Sequence, residues 1–285
     1  MFKAVSILLA LSCAASVGIA QEASKILGTS ALQQIEGAGG GGIVPWATIG
    51  GYGSEGEWGG AASAGGVQVS DLVLDAGGVL IGWNNRVEVS FMQQTLQVNE
   101  LSSGPFDAVI QQHIYGAKVR AFGHLIYEPW PQISLGVQQK FNLNPNIPID
   151  VLGADSDRGT DIYVSASKLW LHALAERNLL LNVTARYTNA NQNGLLGFGN
   201  ADGSDYRWVA EASAGVFLNH HWAIGGEYRQ QPDRLASVDE SPWWDAFVAW
   251  FPNKRIAVVA AYVDLGTVAL WDEQRGGYVS IQITN

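Results

Sequence analysis

Between Tyr206 and Gln231 the chain repeats with a period of two. Trp208, Ala210, Ala212, Ala214 and Val216 share one parity, and Glu211, Ser213 and Gly215 the other. After a short turn at Asn219-His220 the alternation resumes, with Trp222, Ile224, Gly226 and Tyr228 set against Ala223, Gly225, Glu227 and Arg229. Successive side chains of an extended strand point to opposite faces, so this stretch reads as a β-hairpin with one apolar and one polar face. Two architectures use such a pattern. A soluble sandwich buries the apolar face, whereas a membrane barrel turns it to lipid and keeps a polar lumen.

Loop length separates the two. Thirteen runs read as strands, beginning with Ile43–Tyr52 and Trp58–Val67 and ending with Arg255–Asp264 and Gly277–Ile283. Short links such as Asn84-Asn85, Ala173–Arg177, Asn219–His221 and Pro252–Lys254 alternate with long ones: Asn99–Ala108, Asn142–Thr160, Asn189–Asp205, Gln231–Trp243 and Leu265–Gly276. Outer-membrane barrels have short periplasmic turns and longer external loops, and a sandwich has no reason to sort its loops this way. Aromatic residues also gather at strand ends. Trp83, Trp130, Trp170, Trp222 and Trp250 lie beside short links, while Tyr187, Tyr206, Trp208, Tyr228, Trp243, Trp244, Tyr262 and Tyr278 lie near long ones. Two such belts are expected at the two membrane interfaces.

The opposite parity carries Glu88, Lys118, Arg120, Lys140, Arg186, Glu211, Glu227 and Arg229, which are expected to line the lumen. Ser213, on the same parity, is expected to tolerate an added charge in a wet interior. The fold class is therefore all-β: an antiparallel transmembrane β-barrel of about 12–14 strands with a Gly-rich N-terminal segment. Thirteen is an awkward count for a bacterial barrel, which normally has an even number. Either one early run lies outside the wall or Ala31–Glu36 supplies another strand.

The organisation expected is a signal peptide at 1–20, a leader or lumenal segment at 21–42 and the barrel at 43–285. Lys3 precedes an apolar run, and Gly18-Ile19-Ala20 offers small residues for cleavage before Gln21. Cys13 is the one cysteine, so a processed chain has no disulfide and no thiolate chemistry. The run Gly37 to Gly42 is either flexible or packed closely inside a lumen, since glycine permits close backbone approach. Without Lys3 the 16 basic residues become 15, and against 26 acids the net charge is −11. Such a chain is a poor nucleic-acid binder, which needs clustered Lys and Arg. No apolar run after residue 20 reaches the length of a membrane helix.

Catalytic signals are sparse. His113, on the parity of Tyr115 and Val119, would suit acyl hydrolysis only beside a serine, and no G-x-S-x-G elbow is present. Neighbouring His220 and His221 point apart and make a poor metal pair. Asp155, Asp157 and Asp161 space oxygen ligands like part of a calcium loop, but no downstream Glu completes it. The long loops are rich in acids, which suggests divalent cations bridging them to lipopolysaccharide. No cofactor is implied.

The segments QQIEGAGGGGIVPWATIGGYG, NLLLNVTARYTNANQNGLLGFG, AWFPNKRIAVVAAYVDLG and DEQRGGYVSIQ resemble the domain of unknown function 3034 family across nearly the whole processed chain. That resemblance implies an exported outer-membrane β-barrel and supplies no activity, substrate or catalytic residues. The C-terminal Ile281–Asn285 lacks a terminal aromatic, yet Gly276, Val279 and Ile281 partly match the signal read by the barrel-assembly machinery. A passive channel or transport-related protein in the outer membrane is the function expected. The alternative is an envelope structural or surface-interaction barrel, and a barrel hydrolase is the third class.

Overall fold

A computed structural model describes residues 25, 27–98, 109–235 and 240–285. The expected signal peptide, the whole 99–108 loop and residues 236–239 lie outside the described residues. Twelve strands close into one antiparallel barrel: β3 (Trp58–Gln68), β4 (Leu72–Trp83), β5 (Val87–Val98), β6 (Val109–Phe122), β7 (Gln132–Asn142), β8 (Arg158–Leu174), β9 (Arg177–Thr188), β10 (Arg207–Phe217), β11 (Trp222–Arg229), β12 (Trp243–Asn253), β13 (Ile256–Asp264) and β14 (Arg275–Thr284). Each pairs with its sequence neighbours, and β14 closes the ring on β3, with Tyr278 opposite Val67 and Ile281 opposite Ala64. Two short strands, β1 (Leu32–Gln33) and β2 (Gly39–Gly40), form a separate hairpin.

Twelve of the thirteen runs read from the sequence are these wall strands. Ile43–Tyr52 is the exception: its backbone bends and joins no wall ladder. Pro45 cannot donate to a ladder, and Gly51 turns at φ 76°. The wall begins at Trp58, which makes the count even.

Short reversals are built by residues in left-handed conformations. Asn84 (φ 55°) and Asn85 (φ 47°) make a two-residue turn of the kind that matches strand twist, closed by Arg86 N donating to Trp83 O at 2.9 Å. Most strands run from 9 residues (β13) to 14 (β6), enough for a tilted crossing of about 9–11 residues.

The outer face is apolar and exposed: Val89, Leu135, Ile162, Val183, Val248 and Ile281 all point away from the lumen. Exposed rings band both ends. Trp58 and Trp83 lie 6.0 Å apart, and Trp222 stacks on Trp250 at 5.8 Å, at the short-turn end. Tyr187 lies 5.2 Å from Trp208, and Trp244 5.7 Å from Tyr262, at the other. Trp243 and Tyr278 depart from the expected belt, being buried inside. Their ladder partners explain it: Trp243 stands opposite Arg229 and Tyr278 opposite Val67, both inward positions.

Candidate functional site

The lumen is occupied by the chain itself. The N-terminal segment enters from the short-turn end, where Lys25 Nζ donates to Ile49 O (3.0 Å) and Gly51 O (2.9 Å). It runs inward as β1, reverses through Gln34–Ala38 and returns as β2. The reversal needs glycine at Gly37, whose φ is +98° and whose absent Cβ would lie 2.9 Å from Met92 Cβ on the wall. Gly41 is needed for closeness: a Cβ there would lie 2.0 Å from Glu227 Oε1.

Glu36 stands at the hairpin tip, fully buried among wall charges. Arg186 Nη2 lies 3.2 Å from its Oε2, and Arg229 Nη2 donates to its Oε1 at 3.2 Å. Lys140 also bonds to Glu36 and lies 2.7 Å from Asp161, which in turn meets Arg186 at 3.0 Å. Glu211 completes the set against Arg186 Nε. Three acids thus meet three bases, and no net charge is stranded in a space closed to solvent. A buried ion pair offsets its desolvation only when geometry and hydrogen bonding are good; here each carboxylate meets at least one guanidinium or ammonium.

Further wall side chains hold the plug's backbone. Glu88 accepts from Gly39 N (2.8 Å) and Gly50 N (2.7 Å), and Lys118, 3.2 Å from Glu88, donates to Gly39 O at 2.7 Å. Glu227 Oε2 accepts from Gly42 N (2.6 Å) and Ile43 N (2.7 Å). Thr184 and Ser165 donate to Pro45 O at 2.7 and 3.1 Å, and Gln132 and Ser134 both donate to Ala47 O at 2.6 Å. Irregular backbone at membrane depth requires such partners, because lipid provides none.

From the long-loop end, the 189–205 connection folds over the plug tip. Asn193 O accepts from Lys140 Nζ (3.1 Å) and Gln112 Nε2 (3.2 Å). Leu195 and Leu196 join an apolar cluster with Val67, Leu72, Leu96 and Trp243. Two loop residues fasten it. Arg234 Nη1 donates to Ala190 O at 3.0 Å, and Glu240 Oε1 accepts from Gln192 N at 3.0 Å. Burial pushes the Glu240 carboxyl up to about 7, despite the amides and the Arg234 charge that pull it down.

Of the residues expected in the lumen, Glu88, Lys118, Lys140, Arg186, Glu211, Glu227 and Arg229 are buried there. Arg120 faces inward but is half-exposed and outside the network. Ser213 is not in open water: its hydroxyl donates to Glu227 Oε1 (2.7 Å) and accepts from Trp46 Nε1 (2.9 Å). The cation candidates do not converge. β8 begins at Arg158, so Asp161 is an inward wall residue in the ion network, while Asp157 pairs with Arg158 at the surface and Asp155 is exposed. Among the described residues, no three His, Cys, Asp or Glu form a metal cluster. His113 points outward and packs on Phe91 at 5.4 Å. His221 Nδ1 lies 2.7 Å from Phe251 O, and His220 is exposed in the same turn.

Glu36 was not among the expected lumen residues. Its signal was the charge imbalance of that set: Lys118, Arg120, Lys140, Arg186 and Arg229 outnumber Glu88, Glu211 and Glu227. A dry lumen demands further acids, and Glu36 and Asp161 supply them.

A closed, lipid-exposed barrel with an internal plug is the class these features define. Residues 29–282 match the family described as "Protein of unknown function (DUF3034)", and the chain belongs to that family. No curated protein matches it by sequence. Among solved structures, the KdgM porin aligns with a TM-score of 0.50 at 9% identity, over 78% of this chain and 98% of that one. The NanC porin aligns at 0.47 and 11% identity, over 79% and 98%. Outer membrane phospholipase A from Escherichia coli aligns at 0.43 and 10%, over 79% and 92%.

Proposed function

We propose that this protein is an outer-membrane channel held shut by its own N-terminal segment. The observation that carries the reading is Glu36: a single carboxylate on an inserted hairpin, satisfied by three cations that belong to the wall. Ionic and hydrogen-bonded contacts of this kind can be exchanged for water, whereas an apolar core cannot without a large cost. The seam between the plug tip and the inner loop fits such exchange. Gln34 Nε2, Gln94 Oε1, Gln112 Oε1 and Asn193 Oδ1 are buried there without a hydrogen-bond partner among the described residues. At the short-turn end, cavities of about 250 and 220 Å³ open beside Leu27 and Lys25 and stop at the plug. The exposed apolar wall, its two aromatic belts and the likeness to the KdgM porin support membrane insertion and a barrel of porin type. Short turns then face the periplasm and long loops the exterior.

The second reading is a structural barrel that never conducts, and the dense grip on Pro45, Ala47, Gly39 and Gly42 favours it. Reconstitution into liposomes separates the two. A variant lacking residues 31–52 that keeps the gel mobility of a folded barrel should admit small solutes, and the intact chain should admit them far more slowly. Equal impermeability of both would leave the structural reading.

A further inference from the structure

We propose that Glu227 and Asp245 hold a divalent cation of the calcium class between the barrel wall and Gly42 of the plug. The two residues are directly opposed on β11 and β12, which sets their Cβ atoms about 4.5–5.5 Å apart. Both face inward and are buried, at 4% and 5% exposure. They converge on one small space: the Cβ that Gly42 lacks would stand 3.3 Å from Glu227 Oε2 and 3.5 Å from Asp245 Oδ2.

Neighbouring acids show what is unusual here. Glu36, Glu88, Asp161 and Glu211 each lie against a lysine or arginine of the wall. Among the described residues, neither Glu227 nor Asp245 forms an ion pair. Glu227 is hydrogen-bonded by Gly42 N, Ile43 N and Ser213 Oγ. Asp245 is held less completely: its Oδ1 is buried with no hydrogen-bond partner among the described residues. Two carboxylates confined together repel strongly at low dielectric, and an unpaired buried charge is costly.

A hard cation answers both problems. Asp245 offers an unpartnered carboxylate oxygen, Glu227 supplies the second negative charge, and a divalent ion balances the pair where a monovalent one would leave a net charge. No three acidic, His or Cys side chains converge among the described residues, so the remaining positions fall to neutral oxygens such as water, which calcium accepts readily. The ion would bridge wall and plug beside the Gly41-Gly42 bend, and the site stands whether or not the barrel conducts.

Terbium, which takes the same oxygen ligands and is sensitised by nearby aromatic rings, is the probe. Tyr278 lies 3.7 Å from the same point on Gly42. The chain, refolded in micelles with Asp155→Asn and Asp157→Asn to remove loop acids, should give saturable terbium emission that calcium displaces. Adding Asp245→Asn should weaken terbium binding at least tenfold. A measurement without the Asp245 variant is the unfolding temperature at fixed pH, which should rise in calcium relative to chelator. Equal terbium binding by the Asp245→Asn protein, or no saturable emission together with an unfolding temperature indifferent to calcium, would overturn the proposal and leave a proton as the neutralising species.

Discussion

Arg229 Nη2 and Glu36 Oε1 lie 3.2 Å apart, although 193 residues separate them in the chain. One belongs to the barrel wall and the other to the hairpin inside it, so the contact exists only when the plug is seated. Removing the carboxylate leaves Arg186, Arg229 and Lys140 facing two acids in a dry space. Glu36→Gln should therefore destabilise the closed state by about 3–5 kcal/mol, the usual cost of breaking a buried pair from one side. Denaturant unfolding from lipid vesicles measures it, and a loss below 1 kcal/mol would mean that water already reaches these groups.

The plug's seating also depends on Gly41. A methyl group there would collide with Glu227 Oε1, whose carboxylate is pinned by Gly42, Ile43 and Ser213. Gly41→Ala should cost about 1–3 kcal/mol, as overpacking does, and should expose the hairpin to protease. Gly77→Ala in β4, whose nearest new contact would be 3.8 Å away, should leave the digestion pattern unchanged.

Val183 tests the lipid face. It is 60% exposed in the middle of β9 and pairs with Ala212. Val183→Arg should cost ~2–4 kcal/mol in refolding into bilayers, the range for a charge at the midplane of a barrel's outer face. Refolding as efficient as the unaltered chain would contradict membrane insertion.

The loop lid should respond to pH through Glu240. Its carboxyl is raised from 4.5 to about 7 when the lid is closed, so the closed state takes up a proton that an open lid releases. Closure is therefore strongest below about 4.5, weakens as pH rises through about 7 and levels off beyond it. Hydrogen exchange at the Gln192 amide, corrected for intrinsic rate, should show more opening at high pH, and Glu240→Gln should flatten the dependence.

The wall was legible because its signal is local. Parity in Tyr206–Gln231 and the Asn84-Asn85 turn need only neighbouring residues to be read. The plug was legible only as one of two readings of the Gly37 to Gly42 run, because the partners that seat it lie far off in sequence. Ile43–Tyr52 has the apolar and aromatic content of a strand, and Pro45 and the Gly50-Gly51 pair were the local signs against it. Asp161 was grouped with Asp155 and Asp157 as a cation ligand, and only the pairing of Arg158 with Phe141, which starts β8 there, shows that it belongs to the wall. Trp243 and Tyr278 sit at strand ends like the belt residues, and only ladder register reveals that they turn inward.

Closure of the lumen by residues 31–52 is the central claim, and single-channel recording in planar bilayers tests it most directly. The intact chain should show long closed periods and small conductance. Deleting Gln33–Gly42, which removes Glu36 and the Gly41-Gly42 contact with Glu227, should raise the conductance of a barrel that still migrates as folded. An unchanged conductance in that folded variant would contradict the account.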